Sequence, residues 1–188
     1  MKRVLAPCLI LIVASALQGA ALAADAVETA VGSCWSCHGA GGPPKDPTIP
    51  IIQGQQAGYL EKQLHDFRSG ERENQIMSSM AESIRPQDMP RASAMIAAMP
   101  WPRRGAQAGE PAPDSVASCQ GCHGADLTGA PGPEGVAPRL AGQFAEYLAD
   151  QMGAFARGER PKAKTMTLMM KSLDAAERGK IANYLAGL

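Results

Sequence analysis

The chain carries C-x-x-C-H twice, at Cys34-Trp35-Ser36-Cys37-His38 and Cys119-Gln120-Gly121-Cys122-His123, and each copy heads a longer stretch that repeats with it. A polypeptide with such a repeat is bound to build one unit twice. Downstream, Pro50-Ile51-Ile52-Gln53-Gly54-Gln55 recurs as Pro138-Arg139-Leu140-Ala141-Gly142-Gln143. Tyr59, Leu60, Phe67, Gly70 and Arg72 recur as Tyr147, Leu148, Phe155, Gly158 and Arg160, all at an offset of 88. The cysteine motifs themselves lie 85 apart, so the second copy has three more residues in the loop after its motif. Loops absorb such insertions at small entropic cost.

Two cysteines three positions apart can reach both vinyl groups along one haem edge, and the histidine that follows then turns its ring toward the iron. Cys34, Cys37, Cys119 and Cys122 are therefore read as covalent attachment points for two haem c groups, with His38 and His123 as one axial ligand each. Two rivals stand beside this reading: a single Cys-four zinc site, and an exported thiol-redox protein. Against both, 81 residues separate Cys37 from Cys119, a histidine follows each pair, and each pair heads its own repeat.

The second axial position must come from elsewhere. Of three histidines only His65 remains, and it sits among charged residues, out of line with the apolar stripe, which marks it as a surface residue. Methionine is the natural alternative, a soft thioether that raises the potential relative to two imidazoles. Among ten methionines, Met77 and Met166 occupy matched positions, seven residues before Ile84 and Leu173 and 39 and 43 residues after the haem histidines. They are the expected ligands, with Met80 and Met169 as the alternative pair. Core packing is the expected role of Met89, Met95, Met99, Met152 and Met170. Pro50 and Pro138 are either loop prolines or backbone acceptors for the free N–H of the haem histidines. Arg72 and Arg160 either pair with haem propionates or are solvated.

At the N-terminus, Lys2 and Arg3 precede an apolar run from Leu9 to Leu17 and an Ala21-Leu22-Ala23 cleavage pattern. This reads as a secretory signal peptide over 1–23, cleaved after Ala23 and taking Cys8 with it. The apolar run is too short to span a bilayer. Loss of Lys2 and Arg3 leaves 16 basic against 18 acidic residues, a balance unlike that of a nucleic-acid binder. The repeat divides the remainder into domains over 24–100 and 114–188, joined by a Pro- and Gly-interrupted linker at 101–113. With 4% aromatic residues, each unit has few large side chains for a core, a deficit that a buried haem makes good.

No segment alternates apolar and polar residues between turn signals, so the fold class is all-α. Short helices are expected from Val27 to Cys34 and from Asp114 to Cys119. Central helices carry Leu60, Leu64 and Phe67, matched by Leu148, Met152 and Phe155, and stop at Gly70 and Gly158. A last helix begins at Asp174 with Glu177 as its capping-box partner and buries Ile181, Tyr184 and Leu185. Its first-copy counterpart contains Pro90 and is expected to start late or bend.

With both C-x-x-C-H-G motifs, Pro138 to Gln143, Tyr147-Leu148, Phe155, Gly158-Glu159-Arg160, Met166 and Ile181-Ala182-Asn183-Tyr184-Leu185, the chain resembles the di-haem cytochrome c4 family of class I cytochromes c. The likeness spans both halves and is weaker in the first, where Ile51 and Ile52 replace the usual Arg-Leu type pair and Pro90 interrupts the helix. The resemblance implies two tandem class I cytochrome c domains related by pseudo-twofold symmetry, each wrapped around one haem, with a shared propionate edge. It implies a periplasmic single-electron carrier rather than an enzyme, between a quinol-oxidising complex or dehydrogenase and a terminal oxidase or reductase. Membrane association would be peripheral, through a partner complex. The alternatives are a di-haem subunit of a sulfide, thiosulfate or alcohol dehydrogenase, or a small haem peroxidase with one open iron.

Overall fold

A computed structural model describes residues 26–104, 110–132 and 135–188. The expected leader with its cleavage site at Ala23 lies outside these residues, as does 105–109 of the expected linker. Eight α-helices dominate the described residues. In the first half they are α1 over residues 26–38, α2 (Ala57–Ser69), α3 (Gln75–Ser83) and α4 (Met89–Ala97). The second half supplies α5 (Val116–His123), α6 (Ala145–Arg157), α7 (Lys164–Ser172) and α8 (Ala175–Ala186).

The helices α1 and α5 do not stop at the first cysteine of each motif, as the sequence suggested, but continue through to the histidine. Residues three apart share a helix face, so a helical C-x-x-C sets both thiols on one side. The chain turns away immediately afterwards, at Gly39 and Gly124, whose φ angles of 88° and 87° strain any side chain.

The central helices end as expected on left-handed Gly70 and Gly158. Leu60 and Phe67 are buried on α2, while Leu64 is only half-buried and Gln63 takes the buried place beside them. Pro90 falls in the first turn of α4, after a 3-10 turn over Pro86–Asp88, where its missing N–H has no partner to lose. The helix thus starts late rather than bending. Asp174 caps α8 by accepting the Glu177 N–H at 2.8 Å. The Glu177 carboxylate accepts the Ser115 hydroxyl proton at 2.6 Å, which ties α8 to the entry of α5.

One departure from the expected all-α pattern is a hairpin of two three-residue strands, β1 (Ala130–Gly132) and β2 (Gly135–Ala137), paired antiparallel with Ala130 opposite Ala137. It occupies the loop that is longer in the second half and packs against α2 of the first. Gly58 makes room for it: a Cβ there would lie 2.9 Å from the Val136 side chain. Three-residue strands are too short for a period of two to register in sequence.

Each half has its own core. Val27 and Val31 of α1 pack with Leu60, Ala92 and Ile96 in the first. In the second, Val116, Leu127, Leu148, Met152, Phe155, Met170, Ile181 and Leu185 belong to a larger cluster against which Tyr184 is only partly buried. Met89, Met152 and Met170 are buried as expected of packing residues. Contacts between the halves are reciprocal: Gln143 bonds the backbone of Ile51 while Gln55 bonds that of Arg139. Matched positions exchanging partners in this way are what a pseudo-twofold axis produces. The linker is pinned where it leaves the first half, with the Arg139 guanidinium 4.5 Å over the Trp101 ring and Arg104 donating to the Gln143 and Ala186 carbonyls. No helix among the described residues is long and apolar enough to cross a membrane.

Candidate functional site

Both motifs open into one cavity of about 1170 Å³, larger than the ~300–1,000 Å³ usual for a single small-molecule site. Cys34, Cys37 and His38 line it from one half, and Cys119, Cys122 and His123 from the other. All four cysteines are free of disulfides. Burial raises the thiol pKa of Cys34 and Cys119, opposite to the depression that makes a redox thiol reactive.

The two histidines are set identically. His38 Nδ1–H donates to the Pro50 carbonyl at 2.8 Å, and His123 Nδ1–H to the Pro138 carbonyl at 2.8 Å. A carbonyl oxygen only accepts, so Nδ1 carries the proton and Nε2 keeps its lone pair. Both rings are buried, at 7% and 6% exposure, and burial lowers both pKa values against a smaller opposing effect of the carbonyls. The result is a pair of neutral imidazoles, each with one nitrogen free for a metal.

Met77 and Met80 lie on α3, and Met166 and Met169 on α7. All four line the cavity and all are half-buried. These short helices were not foreseen as separate elements, yet they explain why both methionine pairs recur: members three apart share a face. The turn holding Met77 is fixed by Asn74, whose side chain accepts the Met77 N–H at 3.0 Å, whereas α7 has no side-chain cap. His65 is exposed and outside the cavity lining.

Neither Arg72 nor Arg160 is solvated; they are 9% and 8% exposed. Arg72 donates to Gln63 Oε1 at 2.8 Å and, across the halves, to the Tyr147 hydroxyl at 3.1 Å and Gln151 Oε1 at 2.6 Å. Arg160 mirrors it, donating to Gln151 at 2.9 Å, Gln63 at 2.6 Å and Tyr59 at 3.4 Å. These direct acceptors are neutral, and carboxylates enter only one bond further out, where Gln63 Nε2 donates to Asp66 Oδ2 at 3.4 Å and Gln151 Nε2 to Asp150 Oδ2 at 2.9 Å. Two buried cations without a carboxylate bonded to either guanidinium suit an anionic occupant. Tyr59, Tyr147, Gln63 and Gln151 gained no role from sequence reasoning. The available signal was that Gln63 and Gln151 are themselves an offset-88 pair beside the apolar stripe.

A family model described as Cytochrome c matches residues 114–188. Cytochrome c4 from Pseudomonas aeruginosa is 30% identical, with 100% of this chain and 100% of that protein covered. The chain belongs to the cytochrome c4 family. A thiosulfate dehydrogenase electron acceptor from Stutzerimonas stutzeri is 32% identical over 83% of this chain and 79% of its own length. The solved cytochrome c4 of Acidithiobacillus ferrooxidans superposes with a TM-score of 0.72 at 27% identity, covering 84% of this chain and 99% of that one. This cytochrome c4 relative is thus a di-haem electron carrier, not an enzyme, and its cofactors are two haem c groups. The cavity fits them: it is continuous between two thiol pairs, each with a neutral imidazole and apolar walls.

Proposed function

We propose that the chain is a periplasmic single-electron carrier, freed of residues 1–23, with domains over 24–100 and 114–188 joined by 101–113. It takes electrons from a quinol-oxidising complex or a dehydrogenase and delivers them to a terminal oxidase or reductase. Cys34 and Cys37 attach one haem, ligated by His38 and Met77; Cys119 and Cys122 attach the other, ligated by His123 and Met166. Arg72 and Arg160 receive the propionates.

The observation that carries this reading is the paired bond from each histidine Nδ1–H to a proline carbonyl. That bond orients the ring, fixes the tautomer and raises the basicity of Nε2. Met77 on α3 and Met166 on α7 would each supply a thioether sulfur to the iron, and a methionine so bound would keep substrates out. Burial of the two arginines lowers the cost of carrying propionate charge in an apolar cavity. Bound haem supplies the one-electron Fe(III)/Fe(II) couple. Among donors, a dehydrogenase has specific support, because a relative matched over most of both chains is named a thiosulfate dehydrogenase electron acceptor.

A redox titration of the purified holoprotein with spectra resolved for each haem tests the proposal. Two reversible one-electron steps between low-spin states are expected. High-spin ferric iron in either haem would turn the reading toward a peroxidase with one open iron.

A further inference from the structure

Each histidine bond ends on a peptide group whose other side is held by the opposite half of the molecule. His38 Nδ1–H donates to the Pro50 carbonyl at 2.8 Å, and the N–H of that same peptide unit, on Ile51, donates to Gln143 Oε1 at 3.0 Å. Gln143 Nε2 returns a bond to the Ile51 carbonyl at 2.9 Å, so the glutamine is fixed at both ends of its amide. The second half repeats the chain with partners exchanged. His123 Nδ1–H donates to the Pro138 carbonyl at 2.8 Å, the Arg139 N–H donates to Gln55 Oε1 at 2.7 Å, and Gln55 Nε2 donates to the Arg139 carbonyl at 3.0 Å. Gln143 and Gln55 are 2% and 5% exposed.

Hydrogen bonds in series polarise one another, and a low-dielectric interior strengthens the effect. An acceptor on the amide N–H draws electron density toward the carbonyl of the same peptide, which then holds the histidine Nδ1 proton more strongly. The imidazole becomes a better donor through Nε2, which favours ferric over ferrous iron. We propose that Gln143 is a positioning residue for the haem ligated by His38, and Gln55 for the haem ligated by His123, each acting across the boundary between halves. Each half therefore sets part of the other's redox potential. Burial separates this from an ordinary surface contact: a Gln143 or Gln55 amide without its partners has little water to turn to.

The inference rests on the reading of His38 and His123 as axial ligands, and the experiment keeps the two apart. In the unsubstituted holoprotein, the strongly shifted ring protons of an iron-bound imidazole are sought in NMR spectra, each haem being assigned through contacts with its own motif. Their absence would remove the ligand reading itself. The relay is then tested by measuring both midpoint potentials in Gln143→Met, Gln143→Leu, Gln55→Met and Gln55→Leu, two side chains per site so that a packing defect is not mistaken for the effect.

The expected pattern is crossed. Gln143 variants raise the potential of the haem at Cys34 and Cys37, Gln55 variants raise that of the haem at Cys119 and Cys122, and in each case the haem of the glutamine's own half is unchanged. The span of one ordinary hydrogen bond corresponds to about a twofold to tenfold change in the one-electron equilibrium constant. Gln56→Ala is the control, since Gln56 Nε2 donates across the halves to the Thr128 carbonyl at 2.9 Å without touching either peptide group. No shift, a shift confined to the glutamine's own half, equal shifts in both haems, or an equal effect of Gln56→Ala would each overturn the proposal.

Discussion

The methionines of α3 and α7 and the glycine after each motif show how much depends on single side chains. Met166→Ala is expected to convert the second haem to a high-spin or ligand-exchanged form while both haems stay covalently attached; absorption spectra and the mass of the denatured chain check the two halves of that statement. Met77→Ala should do the same for the first haem. If Met80 or Met169 were the ligand, the corresponding spectrum would not change. Gly39 and Gly124 share a backbone conformation, with φ of 88° and 87°, that costs other residues about 1–3 kcal/mol. Their surroundings differ: a Cβ on Gly39 would come within 2.3 Å of the Gly42 carbonyl oxygen, whereas one on Gly124 meets nothing closer than Asp126 Oδ1 at 3.4 Å. Gly39→Ala should therefore lower the midpoint of denaturant unfolding more than Gly124→Ala. The motif residues, their following glycines and the matched methionines were all legible in the sequence because the repeat points to each twice. The paired glutamines were visible as repeats but not as contacts, because their partners lie in the other half.

Helices α3 and α7, which carry the methionines, are short and depend on neighbours to hold them. In the first half, Arg68 of α2 reaches the end of α3 and donates to the carbonyls of Ala81 at 3.1 Å, Glu82 at 2.8 Å and Ile84 at 3.2 Å. In the second, Arg178 of α8 serves α7, donating to the Met170 carbonyl at 3.0 Å and to that of Leu173. The same job at the C-terminal end of a helix, where a cation also suits the dipole, is thus done from different elements in the two halves. Arg68→Ala should release the first methionine and leave the second in place, and Arg178→Ala the reverse. The check is the denaturant concentration at which the methionine-to-iron absorption of each haem disappears, with a loss of about 1–3 kcal/mol for bonds to a charged donor. Because Arg68 and Arg178 do not correspond in the repeat, alignment of the two copies gave no hint of this support. The hairpin escaped for a related reason, since it exists in one copy only.

At the scale of the whole molecule, the two halves are unequal. Among the described residues the first half buries ten apolar side chains and the second thirteen, and only five of the first half's pack into one cluster against eleven of the second's, so the first is less well held together without its cofactor. Replacing Cys34 and Cys37 by serine should cost more helix, by far-ultraviolet circular dichroism, than replacing Cys119 and Cys122. An equal loss from both would show that the interface, not the separate cores, governs folding. Sequence alone marked the two C-x-x-C-H motifs, the methionines at matched positions, the helical class and the doubling of the unit, because each rests on local spacing or periodicity repeated at a fixed offset. Tertiary structure decided what faces what. It put Arg72 and Arg160 in a buried network with Tyr59, Tyr147, Gln63 and Gln151, and it set Gln143 against the peptide that holds His38 and Gln55 against the one that holds His123. Those of the contacts that cross between the halves join residues 75 to 101 positions apart. No local pattern encodes such pairings, because they depend on how two folded halves pack together.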